Sequence, residues 1–199
     1  VIMDLGRKVK QNSAMTGVAC ASALLSTLAS LILFALVLGA SSMPLLHAVA
    51  LPLFLGGMSL LLTALTLFKR HPLPLNFVLT SSQRAFQLKH VLMIAFSISS
   101  ISLISTWIGS LYGQPGTFIS AVVVGFAEIH AAAVGISQLV NPVEPVSPLA
   151  RWGVLAILMA SVVSKSALSF ISGGKSYGLQ MAFALTLFVL AAGLGTVFT

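Results

Sequence analysis

The chain has 199 residues, of which 58% are apolar and only 7% charged, and its mean hydropathy is +1.08. A soluble domain of this size needs far more charge to cover its surface, so composition excludes one and predicts an integral membrane protein surrounded by a lipid bilayer. The formal charge of +7 does not point to nucleic acid, because ten Lys and Arg residues are spread over several connections and form no dense basic patch.

Six apolar runs follow one another, at about residues 16–40, 44–68, 90–113, 117–140, 150–172 and 178–198. Each can cross a hydrocarbon layer of about 30 Å, which takes roughly 20 helical residues. Lipid leaves no backbone polar group satisfied from outside, and the runs are continuous, not alternating, so helices are predicted and not barrel strands. The expected fold is all-α, a polytopic membrane bundle of about six transmembrane helices forming one domain over residues 1–199. Turn formers join the runs at Ser41-Ser42, Gln114-Pro115-Gly116 and Gly173-Gly174. Two connections are longer. "KRHPLPLNFVLTSSQRAFQLK", residues 69–89, contains Pro72 and Pro74, which stop a helix, and the three prolines of "NPVEPVSPL" read as a stiff connector.

Basic residues assign the faces. Arg7, Lys8, Lys10, Lys69, Arg70, Arg84, Lys89 and Arg151 fall on one side of a six-span arrangement and Lys175 on the other, which predicts both termini in the cytoplasm. Cys20, the single cysteine, lies in an apolar run, rules out an internal disulfide and reads as a structural thiol. The start at Val1 is compatible with a processed or truncated piece of a longer protein, whose C-terminal part this chain would be.

Two side chains that carry charge fall deep within the apolar runs, Glu128 in "GFAEIHAAAVG" and Lys165 in "MASVVSKSALS". A charge at membrane depth costs at least about 2.5 kcal/mol unless paired or hydrated, so it turns towards the bundle interior. On straight helices Glu128 lies roughly 16 Å, and Lys165 about 10 Å, below the same surface, close enough for an ion pair once the lysine stem bends. Ala121, Gly125, Glu128, Ala132 and Gly135 share one face, a small-residue stripe suited to close helix packing. Ser161, Lys165, Ser169 and Ser172 make a polar stripe on the following run. His130 points about 200° round a straight helix from Glu128, so the two are not expected to act as one site, and His130 reads first as a packing histidine. The Glu128–Lys165 pair either locks two helices together or marks the path of an ion or polar solute. The hydroxyls of Ser97, Ser99, Ser100, Ser102, Ser105 and Thr106 either line a wet path or bond back to their own helix, the second being favoured.

Other chemistry lacks material. "GGKS", residues 173–176, has Ser169 where a phosphate-binding loop needs its earlier glycine. His47, His71, His90 and His130 show no metal-ligand spacing, and a nucleophile elbow is absent. With three acidic residues in all, and Asp4 and Glu144 in loops, carboxylate-pair catalysis has almost no candidates. No enzyme activity, metal or cofactor is expected.

The order of several blocks resembles a known family. "DLGRKVKQNSAM", "AFQLKHVLMIA", "VGFAEIHAAAVGISQL" and "MASVVSKSALSFISGGKSYG" resemble, in order, four blocks of the C-terminal membrane domain of MgtC/SapB-type proteins, the domain of unknown function 4010. Glu128 stands at the first acidic position of that family's G-L-x-D-V-D-A block, and His130 replaces its second aspartate. Ser161 replaces an asparagine, and Lys165 keeps the family lysine. If the family holds a cation through both aspartates, this chain has lost one hard oxygen ligand. The resemblance also implies two related halves, with the runs at 16–40 and 44–68 echoing those at 150–172 and 178–198.

The reading that follows is a bacterial inner-membrane protein that transports an ion or small polar solute. Glu128 would be the titrating or ligating group, Lys165 its charge partner, and His130 and Ser161 supporting polar groups. The alternative is a non-transporting scaffold or regulatory subunit in which the pair is structural. A homo-oligomer is compatible with either, and no nucleic-acid partner is expected.

Overall fold

The computed structural model describes residues 1–12, 15–70, 88–141 and 144–198; within 88–106 it describes side chains only at Phe96, Ser99, Ser100, Leu103 and Ile104. Arg84, His71 and the side chains of Lys89, His90, Ser97, Ser102, Ser105 and Thr106 therefore lie outside the described residues. Six helices account for the elements described: α1 (Ile2–Gln11), α2 (Thr16–Ser41), α3 (Met43–Arg70), α4 (Leu88–Ala127), α5 (Ile129–Ser137) and α6 (Pro148–Val197). The class is all-α. Three of the helices, α2, α3 and α6, are long and apolar enough to cross a membrane.

The helices are apolar on the inside and on the outside. Phe34, Leu24, Leu60, Ile157 and Met181 are fully buried, while Phe54, Leu36, Trp107, Phe183 and Leu190 are exposed. A water-facing bundle would carry charge on that outer surface, whereas helices hydrophobic all round suit a lipid solvent.

Two of the helices double back on themselves. At Gly113 (φ 64°, ψ −147°) and Gly174 (φ 77°, ψ −173°) the backbone enters a region open only to glycine. A Cβ on Gly109 would stand 2.6 Å from the hydroxyl of Thr117, and one on Gly178 would meet the ring of Phe170. Eight residues of straight helix span about 12 Å, so the chain reverses at both glycines and α4 and α6 are each two antiparallel limbs. Ser147 starts α6 by accepting a hydrogen bond from the Ala150 N–H at 3.2 Å, with Pro148 in the first turn, where its missing N–H costs nothing.

Close contacts fix the directions. Gly57 of α3 rests on Leu28 and Leu31 of α2, and Gly39 on Leu46, so the two helices form an antiparallel pair joined by the extended residue Ser42. Gly56 faces Phe188 and Ala192, and a Cβ on Gly195 would fall 2.6 Å from the Cα of Pro52, so α3 also runs antiparallel to the second limb of α6. At the end of the bundle marked by Gly174, Lys10 donates to the Ile171 carbonyl at 3.0 Å and the Tyr177 hydroxyl to the Ile2 carbonyl at 3.3 Å. The end of α1, the end of α3 and Lys175 thus gather at one end. The Ser42 turn, the start of α6 and the end of α6 gather at the other.

That arrangement differs from the expected one in two respects. The single helix expected over residues 117–140 is interrupted at Glu128, and α5 folds back along the second limb of α4. A Cβ on Gly153 would touch Ile136 and lie 3.3 Å from Phe118, although 18 residues of straight helix would separate those two by about 27 Å. The nine residues of α5 reach only about 13 Å, and residues 114–137 form a hairpin whose two ends lie at the same end of the bundle. In consequence the end of α1 and the end of α6 lie at opposite ends of the bundle. The expected arrangement placed Lys10 and the end of α6 on the same face, which does not fit this geometry.

Candidate functional site

Glu128 is the tip of that hairpin. Its backbone is extended (φ −147°, ψ 108°), nearly the conformation of Ser42 (φ −157°, ψ 97°), which makes the turn between α2 and α3. One extended residue between two helices is enough to reverse the chain. The break leaves the first N–H groups of α5 without intrahelical partners, and the Glu128 carboxylate caps them, accepting from the His130 N–H at 2.9 Å. The same Oε1 makes a short hydrogen bond to Nδ1 of the His130 imidazole.

The expectation that Glu128 and His130 point apart is therefore overturned. It rested on 100° per residue along a continuous helix; with Glu128 outside the helix and His130 at its second position, both side chains turn to the same side. The small-residue stripe is likewise divided, Ala121 and Gly125 on α4 and Ala132 and Gly135 on α5, and all four are buried. A Cβ on Gly125 would sit 3.3 Å from the Ile157 carbonyl, so the hairpin lies directly on α6 and its tip reaches the level of Ser161 and Lys165.

A cavity of about 520 Å³ opens at the tip. Glu128, His130, Ser161 and Lys165 all line it, so the four residues singled out in the sequence share one space. They are not all in contact. Among the described residues Lys165 has no ion pair, and the partner of the Glu128 side chain is His130. The Nε2 atom of His130 is buried and makes no hydrogen bond among the described residues.

Further lining groups were missed in the sequence. Ser26, Thr27 and Ser30 of α2 face the cavity, as do Ser164 of α6 and Asp4 and Arg7 of α1 at its exposed mouth. Thr27 and Ser30 donate to carbonyls one turn back, Ala23 at 2.9 Å and Ser26 at 3.1 Å. Ser26, Thr27 and Ser30 have the same spacing as Ser164, Lys165 and Leu168, which line the opposite wall. The echo of the run at 150–172 in that at 16–40, implied by the family resemblance, was the available signal for these residues.

No curated protein and no solved structure matches the chain. The pattern of a family described as a domain of unknown function, DUF4010, matches residues 1–173, a stretch that contains α1 to α5, the Glu128 tip, the first limb of α6 and every residue of the cavity wall. On that match, which spans most of its length, the chain belongs to the DUF4010 family.

Proposed function

We propose that the chain is an integral membrane protein that moves an ion or small polar solute through the cavity at the Glu128 tip. The observation that carries this reading is a hairpin end, with a carboxylate, an imidazole and a nearby ammonium, held at a cavity of about 520 Å³ among apolar helices. Ionisable groups at membrane depth mark solute paths, and interrupted helices are tolerated there where they line a cavity. In this reading Glu128 is the titrating or ligating group, Lys165 its charge partner, and His130 and Ser161 support them. The reading is non-enzymatic. It takes α2, α3, the first limb of α4 and the two limbs of α6 as five crossings, with 114–137 as a re-entrant hairpin in place of the sixth. The end that gathers Arg7, Lys8, Lys10, Lys69, Arg70 and Lys175 is cytoplasmic by the excess of basic residues, against Arg151 at the other end.

Flux in proteoliposomes tests it, with currents recorded after jumps of salts and small solutes. We expect Glu128→Gln and Lys165→Met each to lower the flux at least about 10-fold, the effect of removing roughly 1.4 kcal/mol of barrier stabilisation. Undiminished flux in both variants overturns the mechanism.

The capping role of Glu128 favours one other reading, a non-transporting scaffold in which the carboxylate only holds the hairpin closed. That reading predicts no flux in any variant, including the unaltered protein, together with a lower Tm for Glu128→Ala.

A further inference from the structure

Several polar groups that face the cavity have no hydrogen-bond partner among the described residues. Lys165, which can only donate, has no partner among the described residues, and the hydroxyls of Ser26, Ser161 and Ser164 make no hydrogen bond there either. The one carboxylate inside, Glu128, holds the backbone N–H and the imidazole of His130 through Oε1. Asp4 and Arg7 are both exposed at the mouth, and the ion pair of Asp4 there is with the Val1 amino group, at 3.6 Å.

An ammonium held among apolar helices is costly unless something balances it. Water can hydrogen-bond to it but brings no charge. The volume of about 520 Å³ is that of a small-molecule site and far exceeds the space a bare ion needs. Its wall is two-sided: Phe126, Ile129 and Leu168 face the space as well as the donors.

We infer that the cavity takes a small organic anion, with its carboxylate head on Lys165 and the hydroxyls of Ser161 and Ser164, and its carbon body against Phe126, Ile129 and Leu168. This rests on the transport reading only for its purpose; binding itself stands apart from flux. Lys165 and Glu128 attract one another electrostatically across the cavity without a direct ion pair. Glu128 holds the hairpin tip, and Lys165 is left to meet the solute.

The test is thermal unfolding of the purified full chain in detergent, with sodium acetate and disodium succinate against sodium chloride, choline chloride and glycerol, the salts at matched ionic strength. The organic carboxylates are expected to raise Tm by about 3 °C or more, as a ligand well above its Kd does for a chain of this size. Lys165→Met is expected to abolish the shift, Lys165→Arg to retain at least half of it, and Ser164→Ala to weaken the apparent affinity severalfold. Helical circular dichroism identifies variants that have kept the fold. The inference is overturned if chloride or choline matches the carboxylates, if no salt shifts Tm, or if folded Lys165→Met responds like the unaltered protein. Carboxylate-specific stabilisation without flux leaves this inference standing and removes the transport reading. Cation flux without carboxylate stabilisation does the reverse.

Discussion

Glu128 combines two demands that usually fall on separate residues. It is the extended residue that reverses the chain, and its side chain also caps the helix that the reversal creates. Glutamate is not among the preferred capping residues, since its extra methylene must fold back to reach the second N–H. Aspartate caps better but would not carry an oxygen as far towards the imidazole. Replacing Glu128 by Ala removes the cap and should cost about 1 kcal/mol, lowering Tm by roughly 2–4 °C for a chain of this length. Glu128→Asp should keep the stability while losing contact with His130, so a flux defect in that variant at unchanged Tm would assign the carboxylate–imidazole contact to function. A Tm loss as large as that of the Ala variant would instead mean that the capping geometry needs the longer side chain. The charged residues were legible in the sequence because a Glu and a Lys in apolar runs have no bland place to go. Their relation was not, since it depends on one backbone torsion. "FAEIHAA" contains no proline or glycine at the break, and every residue in it tolerates helix.

Among the elements, the two glycine reversals and the extended-residue turns divide the work. Gly113 and Gly174 use conformations that cost a substituted residue about 1–3 kcal/mol, because a Cβ there clashes with its own backbone. Among the described residues no neighbouring atom lies within 4 Å of either Cβ position, so the cost is conformational. Gly174→Ala should therefore lower Tm by several degrees without changing the packing seen by Tyr177 and Phe170. Gly193 is the control. It is helical, a Cβ there would meet only Leu155, at 3.9 Å, among the described residues, and Gly193→Ala should be neutral or stabilising by up to about 1 kcal/mol. Equal losses at the two positions would show that the reversal at Gly174 carries no strain. The reversal was visible in the sequence as the pair Gly173-Gly174 between apolar runs, and all-helical class and the apolarity of α2, α3 and α6 followed from composition and run length. The hairpin at 114–137 was hidden because its length, 24 residues from Gln114 to Ser137, suits one crossing. Hydropathy counts residues along the chain and is blind to a chain that turns halfway.

At the scale of the molecule, that one hidden turn reverses the bookkeeping of sides for everything after it. If residues 117–140 crossed, Arg151 would share a face with Lys69 and Arg70, and Lys175 would stand alone opposite them. With the hairpin returning to its own end, Lys175 joins Lys69 and Arg70, and Arg151 stands opposite. The contact between Lys10 and Ile171, and the antiparallel packing of α3 on the second limb of α6, both require the second arrangement. It also brings the basic residues of α1 and α3 and Lys175 of α6 to one end, so the charge asymmetry is kept while the grouping changes. Single cysteines at Lys69, Arg151 and Lys175 distinguish the two arrangements in intact inverted and right-side-out vesicles. Cys20 is fully buried and can be replaced by Ala beforehand. A membrane-impermeant maleimide should label positions 69 and 175 from the cytoplasmic side and position 151 from the other. Labelling of 69 and 151 from the same side, with 175 opposite, would restore six crossings and remove the re-entrant hairpin. The cavity at Glu128 would then need a different entrance, since its tip would belong to a helix that passes through the layer.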